Sequence, residues 1–337
     1  MATTVPSFVE DNVTSSSSDY SFLDAFSHPL PIEIVISTIV WLMCFLAVFG
    51  NILIFVVILR DKQLWSNIAN MYILNLASAD LCVGMNSLTM QNIWRYTGNW
   101  PFQRAVCTFW TVVDYLACMQ GAFAVTLISL DRYFMMTKFL EYRIYNSRKL
   151  ACGLITGTWT LALLFNPFPV LGNELWPNAG DVGINYSVNC DFGVLRILSY
   201  NIAQIVVGFV APAIILAYLN FKVYANILKR SKVLYSPITR HQKVLQNSPE
   251  GRYHAGLYRG RVFFICETPL IVLKFLFVAK GGYLSWLLWN GASYTVWVNS
   301  AINPFIYAGT NPRIRRDIIK LLCFWNHRLR RKIRPLH

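Results

Sequence analysis

Charge is what this 337-residue sequence has least of. Asp, Glu, Lys and Arg make up 14% of it, against roughly 25% in soluble globular domains. That shortage excludes an ordinary soluble enzyme, and 55% hydrophobic residues exclude a disordered chain. Acids are scarcer than bases, 16 against 30, so the formal charge is +14. Such a balance suits either nucleic acid or a membrane surface, and its distribution decides between them. Twenty-five of the 30 bases fall in 59–70, 132–149, 222–261 and 312–337, between long apolar runs. A nucleic-acid groove needs basic residues spread over a folded face, so nucleic acid is excluded as a partner. An internal repeat is also lacking, and the first 30 residues hold no apolar core suited to a signal peptide.

What is there in abundance is apolar sequence. A bilayer-crossing helix needs about 20 mostly apolar residues, and seven stretches qualify: 34–59, 68–94, 105–137, 149–171, 194–228, 262–279 and 283–308. The pattern predicts an all-α membrane protein, a seven-transmembrane helix bundle with a short inner amphipathic helix. Residues 1–33 carry five acids and no Lys or Arg. The positive-inside rule therefore puts the N-terminus outside and every crowded basic segment inside. The organisation expected is a disordered extracellular tail over 1–33, a seven-helix domain over 34–308, and an inner helix with a basic cytoplasmic tail over 309–337. The protein is expected in the plasma membrane.

Under this topology the sequons at Asn12 and Asn185 both lie outside and are candidate glycosylation sites. Of eight Cys, only Cys107 and Cys190 reach the oxidising face, which predicts one disulfide between the top of span three and the loop before span five. The segment 230–260 is polar and basic with Pro237 and Pro249, and is expected as a flexible cytoplasmic loop. Residues 312–324 start with Pro and place Ile314, Ile318, Leu321 and Leu322 on one face, as an amphipathic helix on the inner leaflet does. Cys323 beside them is a palmitoylation candidate, and the basic inner loops suit anionic inner-leaflet lipid.

Ionisable residues inside spans are costly, and they are the first candidates for function. Asp80 lies in mid-span, with Asn51, Asn299, Ser300 and Asn303 at comparable depth on spans one and seven. The group fits either a water or sodium cluster or a structural hydrogen-bond network. No cofactor beyond such a sodium ion is expected. Asp114 lies seven residues after Cys107, about 10 Å along a helix, hence just below the outer surface. Trp110, Tyr115, Tyr294 and Trp297 accompany it. A carboxylate among aromatic faces captures an ammonium by ion pairing and cation–π attraction; interfacial aromatics around a structural Asp are the alternative. Asp131, Arg132 and Tyr133 end the apolar part of span three.

Taken together, Gly50-Asn51, Leu76-Ala77-Ser78-Ala79-Asp80, Cys107, Asp131-Arg132-Tyr133, Trp159, Cys190, Pro212, Cys266 with Pro269, and Asn303-Pro304-Phe305-Ile306-Tyr307 resemble the rhodopsin-like G protein-coupled receptors, over about residues 34–324. The resemblance implies a receptor without catalytic chemistry. It implies that Arg132 meets a heterotrimeric G protein or an inner acid, with Asp131, Tyr133 and Pro304 in the same machinery. It also implies that Asn303 and Tyr307 rearrange on activation, that Asp80 holds sodium, and that arrestin is a further candidate partner. Asp114 then stands where aminergic receptors bind the ligand ammonium. The chain is most similar to histamine receptors of the third and fourth subtypes and then to muscarinic receptors, through Asp114-Tyr115-Leu116-Ala117-Cys118, Ala211-Pro212 to Asn220, and Trp297 to Pro304. The implied ligand is a small cation of the biogenic-amine kind, histamine and acetylcholine included. Its candidate contacts are Trp110, Asp114, Tyr115, Cys118, Gln204, Glu267, Ile271, Lys274, Tyr294 and Trp297.

The departures from the family pattern concern the ligand and the switch. Glu267 stands where the family has Trp, and Leu270 and Ile271 where aromatics follow Pro269. Gly208 stands where those histamine subtypes carry an acid, Gly121 where the sodium site has Ser, and Asn220 where most members have Tyr. Gly256 and Gly260 each cost roughly 1 kcal/mol against Ala in a helix at the cytoplasmic start of span six. The alternative expectation is therefore a diverged receptor that no longer binds an amine or signals, acting as a silent or dimer-partner receptor. Other classes fit less well. A retinal protein needs a Lys in span seven, and 283–308 has none. A transporter favours repeats, and a hydrolase needs a nucleophile with a base.

Overall fold

The computed structural model describes residues 30–166, 190, 198–234, 249–279 and 286–323. Among the described residues the chain is helical, with no strand. Seven long helices occupy the seven expected spans: one is Leu30–Arg60, two is Ile68–Thr97, three is Arg104–Thr137, four is Arg148–Phe165, five covers 198–234, six is Pro249–Ala279 and seven is Trp286–Thr310. Ile32–Arg60, Ile68–Thr97, Arg104–Thr137 and Ile202–Asn226 are each apolar over a membrane-crossing length. Span three packs against two, four, five and six, and span seven against one, two and six. Span three is therefore the axis of the bundle.

Close packing in lipid depends on small residues and on satisfied backbone groups. Gly50 lies against Pro304, where a Cβ would stand 2.7 Å from the ring, and Gly84 lies against Ala47 and Val48 of span one. The short connections are capped by side chains. Asp61 accepts from Gln63 and Leu64, Asn67 from Ala69, and Ser147 from Leu150. Asn311 caps the inner helix Pro312–Leu322, with Pro312 in its first turn. Arg313 of that helix reaches back to Asp61, with guanidinium–carboxylate contacts of 2.6 and 2.9 Å. Two π-helical stretches, Val83–Leu88 and Val206–Val210, interrupt spans two and five.

Several boundaries differ from the sequence expectation. Helix one starts at Leu30, so Glu33 belongs to the bundle rather than to the tail. Span two runs past residue 94 to Thr97 and ends at Gly98, whose φ of 76° suits glycine. Most of the expected loop over 230–260 is helical. Span five continues to Leu234 and span six already begins at Pro249. Proline is tolerated in a first helical turn, and at Gly260 the Asn220 amide of span five occupies the place of a Cβ, so a larger residue there would displace that side chain. The inner helix ends at Leu322, two residues before the expected end. Asn12, Asn185 and the far end of span four lie outside the described residues.

Candidate functional site

The outer end of span three is fastened before any pocket is formed. Cys107 is disulfide-bonded to Cys190, and the six other cysteines are free. Around that bond Trp94, Trp100 and Trp110 form a cluster with ring centroids 5.2 to 5.7 Å apart. The π-helical stretch of span two turns Asn86 inward, and its amide donates to the Trp110 carbonyl at 3.0 Å. Trp110, expected as a ligand contact, is thus taken up by the cluster above the pocket and is 7% exposed.

One turn below Trp110 stands Asp114. Its Oδ1 accepts the Trp297 Nε1–H at 3.1 Å and faces Cys118 Sγ at 3.8 Å. Tyr294 meets the Trp297 ring edge to face at 5.5 Å. Spans three and seven therefore supply together the carboxylate and aromatics expected of a cation site. Lys274 crosses from span six and holds its Nζ 5.3 Å from the centroid of the Tyr115 ring. Ile271 is buried, and Glu267 lies two turns below Lys274, within electrostatic reach of both Asp114 and Lys274. The floor toward span five is small: Gly208 faces the Met119 methyl, where a Cβ would stand 3.2 Å away.

Gln204, the expected contact from span five, is held rather than free. Its Nε2 donates to Asn166 Oδ1 and to the Tyr200 hydroxyl, both at 2.7 Å. Asn166 also donates to the Ala162 carbonyl at 2.7 Å and to Met119 Sδ at 3.3 Å. Asn166, Tyr200 and Met119 escaped the sequence reading, since polar residues near a span end carry no distinguishing pattern. Another group it missed is readable in retrospect. Arg95, a stray base at the outer rim, makes a two-pronged ion pair with Glu33 at 2.9 and 3.0 Å, and the side chains are 7% and 21% exposed. A lone Arg among tryptophans requires an acid, and Glu33 was the nearest on an adjoining span.

The mid-membrane group also comes together. Asn303 Nδ2 donates to Asp80 Oδ2 at 2.8 Å. Asn51 Nδ2 donates to the Ala47 carbonyl at 2.8 Å and to the Ser300 carbonyl at 3.2 Å, tying span one to span seven. Asp80, Asn51, Asn299, Ser300 and Asn303 are all buried. Around Gly121 a Cβ would meet nothing within 4 Å, so the position where the family pattern has Ser is open.

At the inner face Asp131 Oδ1 accepts the Tyr142 hydroxyl at 2.7 Å, and Asp131 Oδ2 lies 3.8 Å from Arg132 Nε. Burial and then the Asp131 carboxylate push the Tyr142 phenol above its ordinary value. Tyr133 meets Phe134 at 5.4 Å. Tyr307 is fully buried and Pro304 rests on Gly50. Burial opposes the charge of Asp61, yet the Arg313 guanidinium and the Gln63 and Leu64 N–H groups outweigh it and hold its carboxyl below the usual value. Cys323 closes the inner helix as its C-cap.

A bundle of seven helices with a carboxylate and aromatics gathered below a disulfide-fastened outer rim is a membrane receptor in form. The family model described as 7 transmembrane receptor (rhodopsin family) matches residues 50–307, and the chain belongs to that family. It is thus a multi-pass membrane protein. Among curated relatives, the histamine H4 receptor of Homo sapiens is 25% identical over 84% of this chain and 90% of its own. The 5-hydroxytryptamine receptor 4 of Cavia porcellus is 24% identical over 89% of this chain and 82% of its own. The D(1B) dopamine receptor of Xenopus laevis is 26% identical over 82% and 67% respectively.

Proposed function

We propose that this protein is a plasma-membrane receptor, with its N-terminus outside, for a small cationic ligand of the biogenic-amine class. The ligand enters between spans three, five, six and seven and favours one conformation of the bundle. That conformation exposes an inner surface around Arg132 to a heterotrimeric G protein. The observation that carries this reading is Asp114, a carboxylate fixed by Trp297 and flanked by Tyr115, Tyr294 and Cys118. An ion pair with aromatic walls is the chemistry that holds an ammonium. The relatives support it by name, since histamine, 5-hydroxytryptamine and dopamine are all amines. Asp80 with Asn303 and the open position at Gly121 serve as a sodium or water site in the same scheme, with one oxygen ligand fewer than the family pattern.

A second reading is favoured by span six. Glu267 replaces the family's indole, and the Asn220 amide packs against Gly260 where spans five and six meet at their inner ends. On that reading the protein is a silent or dimer-partner receptor. A panel of biogenic amines, read by G protein dissociation in cells, separates the two. Activation by an amine, lost in Asp114→Asn, supports the first reading. Silence toward every amine from a receptor that reaches the surface supports the second.

A further inference from the structure

The pocket contains a cation of its own. Lys274 is turned away from its own helix and laid over the Tyr115 ring, at 5.3 Å from the centroid. Among the described residues its ammonium has no carboxylate at ion-pair distance, although Asp114 and Glu267 are both within electrostatic reach. Glu267 lies seven residues down the same helix, about 10 Å along its axis, so it does not neutralise Lys274 by contact. A lysine stem at a pocket rim is free to snorkel outward. Here the cation–π contact keeps the charge beside Asp114. A ligand that brings only an ammonium to Asp114 meets a like charge there.

We infer that the ligand is a zwitterion, an amino acid or close derivative, whose ammonium rests on Asp114 and whose carboxylate rests on Lys274. This deepens the amine-receptor reading and rests on its Asp114 anchor. Lys274 lies over the residue that follows Asp114 and is within electrostatic reach of Asp114 itself, so the two recognised charges border the same pocket. A dication seeking Glu267 has to pass Lys274. The remaining contact is neutral. Gln204 spends its Nε2 on Asn166 and Tyr200, which leaves Oε1 as an acceptor 4.0 Å from the Cβ position of Gly208. A ligand side chain that donates a hydrogen bond completes the fit.

The test uses the purified full-length receptor in detergent, with thermal stabilisation as the measure of binding. The probes are three pairs, L-histidine and histamine, L-tyrosine and tyramine, L-tryptophan and tryptamine, with 1,4-diaminobutane as the dication. In the wild type the amino acid of at least one pair is expected to stabilise at about 30-fold lower concentration than its amine, the cost of leaving one charge of a buried pair unmatched. Lys274→Met removes that advantage while the amine binds as well or better, and Lys274→Arg retains it. Asp114→Asn weakens both members. Amines or the diamine stabilising the wild type better than any amino acid overturn the zwitterion and leave the amine receptor standing. So does an amino-acid preference unchanged in Lys274→Met. Amino-acid binding unaffected in Asp114→Asn overturns the anchor itself. No stabilisation by any probe overturns both readings.

Discussion

The outer and inner halves of the bundle treat charge in opposite ways. At the inner face every charge singled out is held by a partner: Asp61 by Arg313, and Asp131 by the Tyr142 hydroxyl and Arg132. In the outer pocket Asp114, Glu267 and Lys274 sit within reach of one another, and none of them makes an ion pair at contact distance among the described residues. Burying charge is costly, and contact pairing offsets the cost. A region that leaves charges apart has kept that offset for something that arrives later. The same contrast runs within the outer half. The rim pair Arg95–Glu33 is closed with two short contacts, and it stands over the open set below.

The contrast is broken first at Asp114. Asp114→Asn is expected to weaken an activating ligand by about 100-fold or more, because a ligand ammonium loses its counter-charge in a desolvated site; dose–response curves for G protein dissociation measure it. Unchanged potency would make the outer charges structural like the inner ones. Next is the rim. Arg95→Met leaves Glu33 without its partner, and a loss of about 3 kcal/mol is expected, read as a lowered Tm in detergent. An unaltered Tm would show the pair to be ornamental. At the inner face Tyr142→Phe removes a hydrogen bond to a carboxylate, worth about 1.5 kcal/mol, and a smaller drop in Tm checks it.

The smallest effect expected is at Asp61. Its carboxyl titrates lower in the folded protein than in the unfolded chain. The stability it adds is therefore complete above the unfolded value of about 4 and is lost as pH falls through the folded value. Asp61→Asn flattens that acid limb of the stability curve by less than about 1 kcal/mol, since the contact is partly exposed to water. A steeper loss in the variant than in the wild type would reverse the assignment.

How much of this was legible in the sequence follows from what each feature leaves as a trace. The seven spans were legible because crossing lipid demands length and apolarity, which periodicity and composition record. The ends of spans five and six were not. Beyond the membrane a helix needs no apolar run, and Pro249, Gly256 and Gly260 look like breakers until Asn220 is placed against Gly260. Asp114 with Trp297 was legible as a group because both lie just below the outer surface on helices expected to face each other. Trp110 was assigned to the same group, but its ring is taken by Trp94 and Trp100, which only the rotation of span two decides. Arg95 and Glu33 are 62 residues apart, and no spacing rule links them.

That rotation rests on six residues. The π-helical stretch Val83–Leu88 accommodates one residue more than an α-helix would over the same length. One residue is about 100° of turn, so everything outward of Leu88 faces a direction that an uninterrupted helix would not give it. Trp94 meets its neighbours and Arg95 meets Glu33 in that shifted phase. Span two in effect carries two addresses, one for Asp80 and the inner residues and another for the rim. A substitution that let 83–88 close into a plain α-helix would preserve every residue of the rim, and would turn Trp94 and Arg95 by about 100° away from their partners; deleting one residue from the stretch would instead leave their direction nearly unchanged.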